Sequence, residues 1–227
     1  MDKIDIFVET GKTRTFAGAI DWPGWCRSGR DEAAALQALA DYGPRYASAV
    51  RGTRLGFEPP AEVAVFAVAE RVAGNRTTDF GAPNVTLASD ARPVDLAELR
   101  RLIALLRACW KALDAAAEAA AGLELRKGPR GGGRELEQVV EHVRAAEEAY
   151  VRRLGAKPAK LAPGLDPATA LRESRKAVLR ALEHSANGEL PERGPRGGLH
   201  WSARYFVRRA AWHVLDHAWE IEDRAEG

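Results

Sequence analysis

The spacing of hydrophobic residues changes near the middle of the chain, and this change predicts two parts of different structure. Apolar and polar positions alternate at Ile4, Ile6 and Val8, and again along RTFAGAI at 14–20. A period of two is typical of strands with one buried face, and the intervening TGKT supplies a turn. The pattern therefore predicts a β-hairpin, followed by a helix over 31–46 and a further strand over 62–70.

From residue 95 onward the apolar residues recur every three or four positions, as at Leu99, Ile103 and Leu106. This is the period of a helix with one buried face. A capping pair, Asp95 with Glu98, marks the first start. Further start and stop signals divide the rest, which predicts helices over about 95–122, 134–154, 166–188 and 201–225. Four helices of similar length favour an up-down-up-down four-helix bundle.

The segment between the two patterns is rich in Gly, Pro, Asn, Thr and Asp, a composition typical of connections. The predicted fold class is therefore an α+β N-terminal domain followed by an all-α up-down-up-down four-helix bundle. Its predicted boundaries are 1–75 for the small domain, 76–92 for a linker and 93–227 for the bundle.

Composition narrows the classes of function. The formal net charge is +2, from 34 basic and 32 acidic residues that are well mixed, so nucleic-acid binding is not expected. No apolar run reaches the roughly 18 residues of a membrane-spanning helix, and the N-terminus lacks the pattern of a secretory signal. Cys26 and Cys109 are the only cysteines, which disfavours a disulfide framework. We expect a cytoplasmic bacterial protein.

The stretch RRAAWHVLDHAWEIEDR at 208–224 carries the candidate chemistry. His213 and His217 are four residues apart and Glu220 follows, so all three share one helix face. Phe206 lies on the same face and indicates that the face points inward, where imidazoles need partners. The alternative is that the pair consists of two ordinary polar residues on a helix surface.

His142 extends this pattern to a second helix. It stands beside the apolar residues Val139, Val140 and Val143, at an inner or boundary position of the predicted second helix. Three neutral imidazoles that converge in a bundle core can bind Zn²⁺ or another divalent ion and leave one coordination position open. An open position is what a catalytic metal site requires.

The histidine pair does not belong to the metalloprotease motif H-E-x-x-H, because Val214 occupies the glutamate position. Glu220 is the nearest candidate catalytic base. Two roles stay open for it: a base, or a residue that orients an imidazole or pairs with Arg224. His184 and His200 are not assigned to the metal.

Two segments carry a resemblance to a known family. VEHVRAAEEAYVRRLG (140–155) and YFVRRAAWHVLDHAWEIEDR (205–224) resemble the DinB/YfiT-like superfamily, over about residues 93–227. The resemblance implies a four-helix bundle with one histidine from the second helix and a pair from the last, here His142, His213 and His217. It also implies one divalent metal ion, with Zn²⁺ or Ni²⁺ expected. Some members transfer low-molecular-weight thiols, and members often dimerise, so a homodimer is one expectation.

The N-terminal part resembles HicB-like domains, which are small α+β units found in antitoxins. The matching stretch is FAGAIDWPGWCRSGRDEAAALQAL at 16–39. No toxin or DNA-binding segment adjoins it in this chain, so an antitoxin role is not carried over. We expect an accessory domain that packs on the bundle or helps it to dimerise; the alternative is a binding module for nucleic acid or a protein partner.

The sequence GPRGG occurs twice, at 128–132 and 194–198, each time before a helix that carries candidate metal ligands. An up-down-up-down bundle would place both loops at the same end, above the metal. Glycine-rich backbone and the side chains of Arg130 and Arg196 would then bind an anionic part of the substrate. The alternative is that both loops are connectors whose likeness reflects composition.

These observations predict a metal-dependent transferase or hydrolase that acts on a small molecule, with a thiol-dependent S-transferase as the leading form. The expected partner is a small-molecule substrate such as a low-molecular-weight thiol, and neither a membrane nor nucleic acid is expected. The competing interpretation is a non-enzymatic stress-response or regulatory protein whose metal site is structural or vestigial. The residues alone leave open whether the chain is an enzyme.

Overall fold

The structure, a computed structural model, describes residues 3–127 and 133–225. Its N-terminal part contains a four-stranded mixed sheet in the order β3-β2-β1-β4. The strands are β1 (Ile4–Thr10), β2 (Thr15–Ala19), β3 (Cys26–Gly29) and β4 (Phe66–Ala73). β1 pairs antiparallel with β2, which confirms the predicted hairpin, and parallel with β4. β3 was not predicted, because its sequence CRSG has no apolar alternation.

The helix predicted over 31–46 is two helices, α1 (Glu32–Asp41) and α2 (Gly43–Val50). Asp31 caps α1 by accepting a hydrogen bond from the backbone N–H of Ala34. Pro44 explains the break, because proline lacks an N–H and is tolerated only in the first turn of a helix. The second helix therefore begins at Gly43, immediately before the proline.

The predicted linker over 76–92 contains α3 (Arg76–Phe80) and a 3₁₀ turn at Ala88–Ala91. It is bonded to both parts of the protein. The buried carboxylate of Glu9 on β1 accepts hydrogen bonds from the backbone N–H groups of Asn84 and Val85. Arg208, in the last helix, donates to the carboxylate of Asp90 through Nε at 3.1 Å and Nη2 at 2.6 Å. The domain boundaries themselves stay a prediction.

The second part contains four long helices. The N-terminal sheet and these helices together confirm the predicted α+β part followed by helical structure. They are α4 (Leu96–Ala119), α5 (Leu136–Arg153), α6 (Pro167–Ala186) and α7 (Ala203–Ala225). Asp95 and Asp166 cap α4 and α6 as the sequence predicts, and Gly155 follows α5 with a φ of +91°. None of the helices in the described ranges combines the length and apolarity needed to cross a membrane.

The direction of α7 contradicts the predicted up-down-up-down order. At its start, Arg204 pairs with Glu98 at the start of α4. At its end, Nε of Arg224 donates to the carbonyl of Arg126, which lies shortly after α4. α7 therefore runs parallel to α4, whereas the fourth helix of an up-down-up-down bundle would run antiparallel to the first.

α6 runs in the same direction as α5, which is the physical cause of the difference. The hydroxyl of Ser174 contacts Glu148 of α5, and His184 near the end of α6 lines one groove with Gly155 at the end of α5. The connection between these helices, residues 154–166, has 13 residues. At about 3.3 Å per residue it can return along the length of α5 before α6 begins.

The N-terminal sheet packs on α7. One face of the sheet forms a buried cluster with α1 and α2 around Trp25, Leu39 and Tyr46. The other face contributes Phe7 and Phe16 to a second buried cluster with Trp212 of α7. The sheet thus covers one side of α7, and the histidines of α7 are directed toward His142 of α5.

Candidate metal centre

The three predicted ligand histidines come together between α5 and α7. One ring nitrogen from each of His142, His213 and His217 lies within 4.8 Å of the other two. The Nε2 atoms of His142 and His213 are 3.2 Å apart. The ring centroids of the three histidines are separated pairwise by 4.6 to 5.1 Å. The structure therefore places His142 on the second long helix and His213 and His217 on the fourth, with the three side chains facing each other, as the sequence predicts.

This arrangement fits a divalent metal ion. Two nitrogens bound tetrahedrally at about 2.0–2.1 Å from zinc lie about 3.3 Å from each other. The 3.2 Å between the Nε2 atoms of His142 and His213 is close to that value. Three imidazole nitrogens would fill three positions of a tetrahedral ion.

The protein keeps two of these imidazoles in the neutral form that a metal requires. Burial lowers the pKa of His213 well below its ordinary value, and the neighbouring His217 lowers it further. Burial also lowers the pKa of His142, followed by the positive charge of Arg134. At neutral pH no proton therefore has to be displaced from His213 or His142 before a metal binds.

Glu220 orients His217 in this structure. One carboxylate oxygen, Oε2, lies 2.7 Å from Nδ1 of His217, and the other accepts from Nη1 of Arg224 at 2.9 Å. The hydrogen bond to His217 is the main cause that lowers the pKa of Glu220. With Nδ1 of His217 bonded to the carboxylate, Nε2 is the nitrogen left for a metal, an arrangement typical of histidine ligands. Of the two roles left open by the sequence, this geometry favours orientation.

A buried arginine lies next to the histidines. Arg209 precedes His213 by four residues on α7, is only 8% exposed and has Nε and Nη1 buried with no hydrogen-bond partner in the described structure. Its guanidinium carbon lies 4.7 Å from the ring centroid of Trp212 and 5.5 Å from that of Tyr150. Its charge also contributes to the lowered pKa of His213.

Arg209 and Tyr150 were not predicted from the sequence. A signal was available for the arginine, because residues 209, 213 and 217 follow the i, i+4, i+8 spacing of one helix face. Tyr150 on α5 has its ring centroid 6.0 Å from that of His213. Its position depends on how α5 packs against α7, which no local pattern specifies.

The structure describes only one of the two GPRGG segments. The second copy, 194–198, follows α6 on the side where α5 ends, since Gly155 and Gly194 both lie against His200. The first copy, including Arg130, lies outside the described residues, and its described flank at Gly133 is at the start of α5, against Arg224. An 18-residue helix of about 27 Å separates these ends. The second copy therefore lies at the far end of α5 from Gly133, and the shared mouth predicted for both loops stays a prediction.

His142 is six residues into α5, so the histidine cluster is nearer to the start of that helix. Arg196 is exposed and stands at the opposite end. No described contact joins it to the cluster. The substrate-binding roles predicted for Arg130 and Arg196 stay predictions.

A groove of about 850 Å³ lies away from the histidines, between α2 and α4. Alanines of α4 and Trp219 of α7 line it, with Arg51 and Arg107 among its charged residues. None of the three histidines contributes to its walls. This groove is therefore separate from the histidine cluster.

Comparison with known proteins supports the assignment of the helical part. A family model described as the DinB superfamily matches residues 105–221, a range that includes all three histidines. No curated protein and no solved structure gave a significant match.

Proposed function

The chain belongs to the DinB superfamily, and we propose that its helical part is a four-helix bundle that binds one divalent metal ion, Zn²⁺ or Ni²⁺, through His142, His213 and His217. We further propose that the site is catalytic and supports transfer or hydrolysis on a small molecule, with a thiol-dependent transferase as the leading form. The observation that carries this proposal is the convergence of three imidazole nitrogens within 4.8 Å on two packed helices.

When bound, a divalent metal would supply a Lewis acid that lowers the pKa of a thiol or water. The residues of the chain have separate tasks around it. Burial keeps His213 and His142 neutral, and Glu220 fixes the ring of His217 by its bond to Nδ1. Arg224 holds Glu220 in turn and is anchored to the carbonyls of Arg126 and Arg134.

The fourth ligand of the metal distinguishes a catalytic site from a structural one. A structural zinc site is closed by four protein ligands, whereas a catalytic one keeps a position for solvent or substrate. Within the described residues the histidine cluster has three members. We therefore expect an exchangeable ligand at the metal.

Cobalt substitution tests this proposal, because Co²⁺ commonly occupies zinc sites and its visible spectrum reports its ligands. The purified chain is loaded with Co²⁺ and titrated with 2-mercaptoethanol. We expect about one Co²⁺ per chain and a new sulfur-to-cobalt charge-transfer band as thiol is added. His184→Ala, which changes a histidine outside the cluster, is the matched control and keeps both signals.

Two results would contradict the proposal. Failure of Co²⁺, Zn²⁺ and Ni²⁺ to bind would remove the metal site. Binding of Co²⁺ with a spectrum unaffected by thiol, cyanide or azide would show a closed site, and the non-enzymatic interpretation would replace the catalytic one.

A further inference from the structure

α7 carries two consecutive buried arginines with different surroundings. Arg208 is 5% exposed and makes a two-bond ion pair with the carboxylate of Asp90. Arg209 is 8% exposed, and two of its three side-chain nitrogens are buried without a partner in the described structure. The fold thus pairs one buried guanidinium with a carboxylate and, among the described residues, leaves two nitrogens of the next one without a partner.

An unpaired buried guanidinium needs an explanation. Arginine stays protonated in proteins, so it cannot escape burial by losing its charge. The rings of Trp212 and Tyr150 lie within cation–π distance of Arg209 and offset part of the desolvation. They accept no conventional hydrogen bond from Nε or Nη1, so two donors remain to be satisfied.

Carboxylates on the neighbouring helix do not fill this role. Glu147 is buried on α5, but its Oε1 accepts from Nε1 of Trp110 on α4 and its Oε2 has no partner among the described residues. Glu148 pairs with Arg144. The anion that would satisfy Arg209 therefore comes from outside the described part of the chain.

The position of Arg209 relative to the histidines indicates what such an anion belongs to. Residues four apart on a helix are neighbours on the same face, with about 5–6 Å between their Cβ atoms. Arg209 is thus one turn from His213 and directed to the same side, toward Tyr150 on α5. A ligand of a few bonds' length can reach both the metal position and the guanidinium.

We propose that Arg209 is a substrate-binding residue, and that the substrate of this site carries a carboxylate a few bonds from the atom that binds the metal. This inference rests on the metal site proposed above. For the thiol-dependent form it specifies the substrate class as a small mercaptocarboxylate, or a larger thiol that presents a carboxylate at the same separation. The aromatic rings of Trp212 and Tyr150 form the walls of the carboxylate subsite.

A carboxylate fits this subsite better than a phosphate. One guanidinium carries a single positive charge, which a carboxylate neutralises, whereas a phosphate dianion would leave an uncompensated charge in a buried place. The planar fork of arginine also matches the two oxygens of a carboxylate. Arg134, which lowers the pKa of His142 and His213, is exposed and does not make a second buried cation.

The test compares charged and neutral thiols on the Co²⁺-loaded chain. The probes are mercaptoacetate, 3-mercaptopropionate and 4-mercaptobutyrate, each paired with the mercapto-alcohol of equal length. The dissociation constant of each comes from the charge-transfer band, so the readout is binding and needs no turnover. We expect at least one carboxylate to bind about ten-fold or more tightly than its alcohol, as a charge-assisted pair provides.

Three variants identify the cause of that preference. In Arg209→Met, whose apolar side chain still packs between the rings, the preference falls to about one. Arg209→Lys keeps the charge but lacks the fork, so it retains part of the preference. Arg152→Met removes an exposed arginine on α5 and leaves the preference unchanged. Circular dichroism verifies that each variant is folded.

The outcomes separate this inference from the proposal it rests on. If Co²⁺ does not bind, or no thiol of either series changes the spectrum, the metal and thiol proposal fails. If both series bind the wild type with equal affinity at every length, the role of Arg209 is overturned while the metal site stands. A carboxylate preference that persists in Arg209→Met also overturns it. Because the wild-type comparison is decisive by itself, the test does not depend on the folding of a variant.

Discussion

Glu147 is buried where α5 meets α4, and the free energy of unfolding should depend on whether its carboxyl is protonated. Burial raises the pKa of its carboxyl to about 7 from an ordinary value of 4.5. Trp110 donates one hydrogen bond to Oε1, which opposes the rise, but Oε2 has no partner within residues 3–127 and 133–225. We expect Glu147→Gln, which keeps the shape without the charge, to remove a pH dependence that the wild type shows.

The sign follows from comparing the folded and unfolded chains. Between pH 4.5 and about 7 the folded protein holds a proton on Glu147 that the unfolded chain has released. The contribution of this group is therefore fully present below pH 4.5 and is lost as the pH rises through 7. At about 1.4 kcal/mol for each pKa unit, the loss is about 3 kcal/mol in total, of which about 2 to 3 kcal/mol falls between pH 5 and 8.

Urea unfolding at pH 5, 6, 7 and 8 measures this effect, with the free energy of unfolding of each variant subtracted from that of the wild type. The difference between wild type and Glu147→Gln should change by about 2 to 3 kcal/mol over this range, with the wild type losing stability relative to the variant. Glu118→Gln, at an exposed position of α4, is the control and should show no such change. A difference for Glu147→Gln that is constant with pH would refute the reasoning.

Three further changes test other contacts. Arg208→Met leaves the buried carboxylate of Asp90 without its cation and should lower the free energy of unfolding by about 3–5 kcal/mol, measured in urea. Gly24→Ala should lower it by about 1–3 kcal/mol, because Gly24 has a φ of +99° and a Cβ there would lie 2.9 Å from a side chain of α7. Glu220→Gln should weaken zinc binding about 10- to 100-fold in a competition titration, because it loosens the hold on the ring of His217.

Matched controls accompany these changes. Arg152→Met alters an exposed arginine and Gly52→Ala a glycine with open space around its Cβ position, so both should leave stability nearly unchanged. Equal losses in Arg208→Met and Arg152→Met would contradict the importance of the Asp90 pair. Unaltered zinc affinity in Glu220→Gln would show that Glu220 does not orient a ligand.

Patterns of neighbouring residues were sufficient to predict the elements whose formation depends on local sequence. Alternation and a turn predicted the hairpin of β1 and β2, and capping residues such as Asp95 and Asp166 predicted the starts of α4 and α6. The strand β3 was missed because its four residues carry no alternation. The break between α1 and α2 was missed although Pro44 marks it.

Features that depend on packing could not be predicted in this way. The direction of α6 is decided by where a 13-residue connection leads, and periodicity contains no information about that path. The histidine cluster was predictable because two of its members share a helix face and the third stands among apolar residues. The unpaired state of Arg209 was not, since it depends on which side chains of α5 face it.

Metal content in the purified protein tests the central proposal most directly. Elemental mass spectrometry is applied to the wild type, to His213→Ala and to His184→Ala, after incubation with Zn²⁺ or Ni²⁺ and removal of excess metal. We predict about one ion per chain in the wild type and in His184→Ala, and a large loss of metal in a folded His213→Ala. No bound metal in the wild type, or equal metal in the wild type and His213→Ala, would contradict the account.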